Sequence, residues 1–152
     1  MSLSMFLGPR GDPLLPDGQI SNRVKISSPI LNSEEMEALG KVKGVTVQTI
    51  STLYSLKDAL TQGGLERALH ALCEEAVQQV KNGATVINLS DEDYMNANAK
   101  DRGKGNTVFI PPLLAVAAVH HRLIQAGLRP AVSLVVTTGQ AWSTHHMACL
   151  VN

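Results

Sequence analysis

The sequence predicts an α/β fold: a parallel sheet in βαβαβα order, partly barrel-like, preceded by an extended arm rich in Pro and Gly. Three observations predict it. Short runs of β-branched and apolar residues (45–50, 84–89 and 132–136) alternate with stretches of helical periodicity (65–81, 113–125 and 143–150). Alternation of this kind joins parallel strands by right-handed helical crossovers. The middle run, Ala84-Thr85-Val86-Ile87-Asn88-Leu89, is apolar nearly throughout, as a strand buried on both faces would be. With 152 residues and about 150 residues per domain, the chain holds one domain, large enough for a true core.

Each element follows from local chemistry. Residues 1–31 carry Pro9, Pro13, Pro16 and Pro29 with Gly8, Gly11 and Gly18, a density of breakers that forbids a long helix and leaves an arm or linker. The α/β body is read over residues 32–152. It opens with Asn32-Ser33-Glu34-Glu35, a capping box that starts a short helix ending near Gly40. Val45, Val47 and Ile50 lie among threonines and Gln48, a composition suited to a strand. After Gly63-Gly64, Leu65, Leu69, Leu72, Ala76 and Val80 form one apolar stripe, which Asn82-Gly83 stops. The stretch 90–107 is polar and long for a connection, a sign of function, insertion or mobility. Pro111-Pro112 opens the helix over 113–125, and Gly127 closes it. Three strands are few for a sheet covered on both faces, so the chain reads as part of a larger α/β unit.

Composition narrows the function. Thirteen Lys plus Arg balance thirteen Asp plus Glu, so there is no electrostatic footprint for nucleic acid or acidic lipid. Trp142, Tyr54, Tyr94, Phe6 and Phe109 are the whole aromatic set, too thin for a base-stacking platform. Cys73 and Cys149 match no CxxC spacing, and suit a reducing compartment or two buried thiols. The N-terminus lacks a secretory pattern, and the longest apolar stretch, 111–120, is about half a membrane span. The expectation is a soluble cytoplasmic chain, or one whose targeting segment lies elsewhere.

In α/β folds ligands sit beyond the carboxyl ends of the strands, here Ser51-Thr52, 90–93 and 137–140. Asp91 and Asp93 could serve as acid or base or hold a hard cation, against the ordinary reading of a solvated turn capping the strand. Thr137-Thr138-Gly139 could cradle a phosphate, but without GxGxxG or GKS/T it reads as an ordinary tight turn. His120-His121 and His145-His146 point about 100° apart within each pair, so neither pair chelates one metal. His145 and Cys149 share a face, a two-ligand start for zinc with no further ligands by spacing. Cys73 sits in mid-helix, away from the helix N-terminus or cationic neighbour a nucleophile wants, and reads as structural. Trp142 reads as a packing residue. No catalytic, cofactor or metal residue is expected from the residues themselves.

Word by word the chain is more informative. Ser28-Pro29-Ile30-Leu31-Asn32-Ser33-Glu34-Glu35 resembles a segment in the central region of glutamate synthases. Gly64-Leu65-Glu66, Ala68-Leu69, Leu72-Cys73 and Glu75-Ala76 resemble that family's next helix. The resemblance runs on through Gly83-Ala84, Leu89-Ser90-Asp91, Pro112, Leu114-Ala115-Val116, Ala118-Val119-His120, Leu123-Ile124 and Gly127-Leu128-Arg129. Ser143-Thr144-His145 and Ala148-Cys149-Leu150 complete it, and the Ser-Thr-His form is that of the ferredoxin-dependent type. About residues 20–150 are covered. Two departures stand inside the chain: Glu92 where the family usually has Arg, and a longer connection after Asp93.

The resemblance implies an oxidoreductase of glutamate biosynthesis and ammonia assimilation, which makes two glutamates from glutamine and 2-oxoglutarate. In that family an N-terminal cysteine hydrolyses glutamine, and ammonia passes to a domain bearing FMN and an iron–sulfur cluster. The central domain joins the two and holds no cofactor. On that basis the chain is expected to be the N-terminal part of a central domain, a fragment without turnover alone, its partners being the amidotransferase and FMN domains. A cytoplasmic or, in a photosynthetic eukaryote, plastid location follows. The alternative is a stand-alone α/β binding or scaffold module. A small hydrolase using Asp91 and a histidine is a remote third.

Overall fold

Two described pieces of the arm are extended and meet. In the computed structural model, which describes residues 3–10, 23–96 and 106–151, strands β1 (Met5–Leu7) and β2 (Val24–Ile26) pair antiparallel. Leu7 is buried, and the Gly8 N–H donates to Ser133 Oγ at 2.9 Å, tying the arm to a distant part of the chain. The described ends of this segment, expected as an extended arm or linker, take part in the packing.

Helix α1 (Ser33–Gly40) begins as its sequence requires. The Asn32 side chain accepts from the Glu35 N–H and the Glu35 carboxylate accepts from the Asn32 N–H, both at 2.8 Å. Strand β3 (Val47–Ser51) follows, then a short strand β4 (Leu53–Ser55) and the single-turn helix α2 (Leu56–Ala59), capped by Ser55. Helix α3 (Gly64–Lys81) leads to β5 (Val86–Ser90), and α4 (Glu92–Asn96) opens the polar connection. Strand β6 (Thr107–Phe109) precedes α5 (Pro112–Gln125). A 3-10 turn, Arg129–Ala131, leads into β7 (Ser133–Thr137), and α6 (Thr144–Val151) is the last element.

The main sheet has the order β3-β5-β7, all parallel, with Val47, Val86 and Ser133 in register at one end and Ser51, Ser90 and Thr137 at the other. All five residues of β5 are buried, as its apolar run foretells, because it has a neighbour on each side. One sheet face packs on α3 and α5 through Ile50, Leu72, Val77, Ile87, Leu89 and Leu123. On the other face, Val86 meets Leu7, Leu39 and Val45, so the arm and α1 cover the amino end of the strands. Arg122 of α5 donates to Glu74 of α3 at 2.7 Å and ties the two crossover helices together. Strands β4 and β6 form a separate antiparallel pair, which brings the two ends of a long stretch of chain together.

Candidate functional site

The carboxyl ends of β3, β5 and β7 converge on Thr52, Ser90, Asp91, Thr137 and Thr138, the place where a parallel sheet presents its loops. Their polar groups are turned onto one another. The Thr52 N–H and hydroxyl both donate to the Ser90 carbonyl, at 2.9 and 3.1 Å. The Asp91 N–H donates to the Thr137 carbonyl at 3.1 Å, extending the parallel ladder by one residue. The Asp91 side chain then reaches across to the loop after β7. Its Oδ2 accepts from the Thr138 hydroxyl at 2.6 Å and its Oδ1 from the Gly139 N–H at 3.1 Å. Thr138 Oγ1 in turn accepts from the Gln140 N–H at 3.0 Å, so the loop is held at successive residues.

Asp91 is only 2% exposed, which overturns its reading as a solvated turn. A buried carboxylate is tolerated where donors satisfy it, and here each oxygen has one. Its partners are a hydroxyl and an amide of its own fold, with no histidine among them. The cleft lined by Thr52, Leu89, Asp91, Pro112, Ala115 and Thr138 has no room for a water-sized molecule. Asp93 lies on α4 with its side chain exposed. Thr137-Thr138-Gly139 was weighed as a phosphate cradle, yet the Gly139 N–H already faces an anion, the Asp91 carboxylate. The helix that follows this loop starts only at Thr144.

One layer down the sheet, the Asn88 side chain donates to Thr49 Oγ1 at 3.3 Å and accepts from the Thr137 hydroxyl at 2.9 Å. This rung joins all three strands. Sequence reasoning passed over it, though its signal was present: one amide side chain inside an apolar strand must find partners when buried.

The histidines stand apart from the strand ends. The rings of His120 and His121 are 5.5 Å apart at 89°, those of His145 and His146 6.3 Å apart at 55°. His145 Nε2 and Cys149 Sγ do share a face, at 3.7 Å on exposed α6, as their spacing requires. Among the described residues no three His, Cys, Asp or Glu side chains gather as metal ligands. His120 Nδ1 accepts from Arg129 Nε at 3.0 Å, while Arg129 Nη1 donates to the Val132 carbonyl at 2.7 Å. Burial first, then the Arg129 and His121 charges, hold the His120 imidazole below its usual range. Burial and the charge of Arg10 lower Arg129 as well. Cys73 is buried within α3, and burial, reinforced by Glu74, pushes its thiol up and away from the thiolate form. A concavity of about 260 Å³ lies between β2 and α1 against Lys25, Leu31, Glu35 and Leu39. That is smaller than the roughly 300–1,000 Å³ usual for a small-molecule site.

Comparison with known proteins gives the family. The profile of the glutamate synthase central domain matches residues 1–152. The chain belongs to the glutamate synthase central domain family. Ferredoxin-dependent glutamate synthase 2 of Synechocystis is 45% identical over 151 residues, 99% of this chain and 9% of that protein. The ferredoxin-dependent glutamate synthase of Pyropia yezoensis and an Arabidopsis thaliana form named chloroplastic/mitochondrial are each 38% identical over the same 99% of the chain. The chain thus spans about 9% of the length of the curated relatives it matches. In this family member, no described helix is long and apolar enough to cross a membrane.

Proposed function

We propose that the chain acts as the N-terminal part of the central connector of a ferredoxin-dependent glutamate synthase, joining the part that hydrolyses glutamine to the part that carries FMN and iron–sulfur. It contributes structure and relative placement, not a reacting group. The observation that carries this reading is the strand-end arrangement: at the position where an α/β fold would hold a ligand, Asp91 is buried against Thr138 and Gly139. The residues also fit neither family cofactor. An iron–sulfur cluster takes about four cysteine thiolates, and the chain has two cysteines. A flavin phosphate would need the Gly139 N–H that Asp91 already occupies. The location follows the enzyme, cytoplasmic or plastid.

The test exchanges the matching segment of the Synechocystis enzyme for this chain and measures glutamate formation from glutamine, 2-oxoglutarate and reduced ferredoxin. An active hybrid, with no turnover and no flavin in the chain alone, is the expected result. Turnover by the chain alone, or a hybrid that folds, binds FMN and has lost coupled glutamate formation, would reject the connector reading.

A further inference from the structure

Residues 106–151 contain two charged side chains, Arg122 and Arg129, and no Asp, Glu or Lys. Both arginines have partners: Arg122 pairs with Glu74, and Arg129 donates to His120 and the Val132 carbonyl. What remains outside carries no Asp, Glu or Lys: exposed apolar side chains stand beside His121, Gln125, His145 and His146. On α5 the buried residues Ala115, Val119 and Leu123 face the core. At about 100° per residue, Leu113, Ala117 and Ile124 fall within about 40° of one another on the opposite side. Leu113 is 54% exposed and Ile124 50%. A helix apolar on both faces belongs between two layers, and here only one is present. Helix α6, packed against α5, has no charged residue and no buried one. The tryptophan just before it, Trp142, is 81% exposed, and Val151 near its end is 50% exposed.

Scattered exposed apolar residues are unremarkable, but a charge-free surface spread over two adjoining helices marks an interface. Trp142, a large amphipathic ring standing free, has the character of an interface anchor. We infer that the outer face of α5 and α6, with Trp142, is the seat of an uncharged, apolar surface of the remaining glutamate synthase polypeptide. The occupant is argued from length: the relatives hold this segment within chains of which it is 9%, so most of their polypeptide is available to cover it. This inference rests on the connector reading and adds to it a face and the partner's chemistry.

Cys149 is exposed on α6 and Cys73 buried in α3, which supplies a reporter and an internal control. Thiol alkylation is followed by peptide mass in the chain alone and in the hybrid Synechocystis enzyme. Protection of Cys149 by at least about tenfold in the hybrid is expected, with Cys73 slow in both. Equal labelling of Cys149 in a hybrid that keeps Cys73 protected overturns the inference, whether or not that hybrid makes glutamate. Ile124→Asp with Trp142→Asp is the second measurement. The pair should lower glutamate formation by the hybrid at least tenfold and unmask Cys149 while Cys73 stays protected. Full activity with Cys149 still protected overturns it too. So does concentration-dependent protection of Cys149 in the chain alone with the mass of a dimer, which would assign the face to a second copy.

Discussion

At the scale of single residues, Asp91 shows what a sequence can and cannot say about a carboxylate. Its position after a parallel strand was legible, and so was its candidacy for chemistry. Its burial was not, because the two donors that make burial affordable come from a loop 47 and 48 residues away. Removing them from use should be costly. Asp91→Ala leaves the Thr138 hydroxyl and Gly139 N–H without acceptors, a loss of about 1–3 kcal/mol. Asp91→Asn should recover part of it, since the amide oxygen still accepts from Gly139. Urea unfolding checks this, and an alanine variant as stable as the parent would rule out the latch. His120 adds a pH dependence. Its folded imidazole titrates below the unfolded value of about 6.5 because burial, then Arg129 and His121, disfavour the charged form. Between the two values the unfolded chain binds a proton that the folded chain does not. The His120 contribution is therefore complete above about pH 6.5 and is lost as pH falls through the lower, folded pKa. His120→Asn keeps an acceptor for Arg129 without titrating, so its stability should fall less as pH drops below about 6.5. An unchanged pH slope would show that His120 is not the source.

At the scale of elements, what could be read was what neighbours in sequence decide. The capping box at Asn32, the stripe of α3, the glycines after α3 and α5 and the all-buried β5 depend on local pattern, and each is found where the pattern puts it. The β1–β2 and β4–β6 pairs escaped. Each strand is three residues long, too short for alternation to register, and each partner lies far along the chain. Part of the polar connection after Asp93, residues 97–105, lies outside the described residues, so its length has no structural account. The start of α3 carries a demand that the sequence shows only as a paired glycine. A Cβ on Gly64 would lie 1.8 Å from the backbone carbonyl oxygen of Asp58, which no side-chain rotation relieves. Gly64→Ala should cost about 1–3 kcal/mol by overpacking, even though alanine favours helices. Asn32→Ala should cost about 0.5–2 kcal/mol through the lost cap. Thermal melts of both variants measure these losses. A Gly64→Ala variant more stable than the parent would mean that the α2–α3 junction relaxes freely.

At the scale of the whole molecule, the sheet is the argument. Parallel sheets occur almost only with both faces covered and with strands on either side. Among the described residues only β5 has a strand on each side; β3 and β7 are the two edges of the sheet. The contrast is visible in burial: every residue of β5 is buried, whereas Ser133, Leu134, Val135, Val136 and Thr137 of β7 are only partly buried. An unpaired edge bearing apolar residues is a template for another strand. Each large aliphatic side chain left in water rather than buried forgoes about 1.5–3 kcal/mol. Leu134, Val135 and Val136 forgo only part of that each, yet against a total stability of about 5–15 kcal/mol for a typical domain the sum weakens the chain alone and leaves its edge adhesive. The chain alone should therefore self-associate at micromolar concentration. Joined to the polypeptide that follows the matching segment in the Synechocystis relative, it should become a monomer that melts cooperatively. Sedimentation velocity gives the mass and calorimetry the cooperativity. A monodisperse 16.2 kDa species with a sharp two-state transition, unaltered by the extension, would show that β7 needs no neighbour and would favour a self-sufficient module over a connector segment.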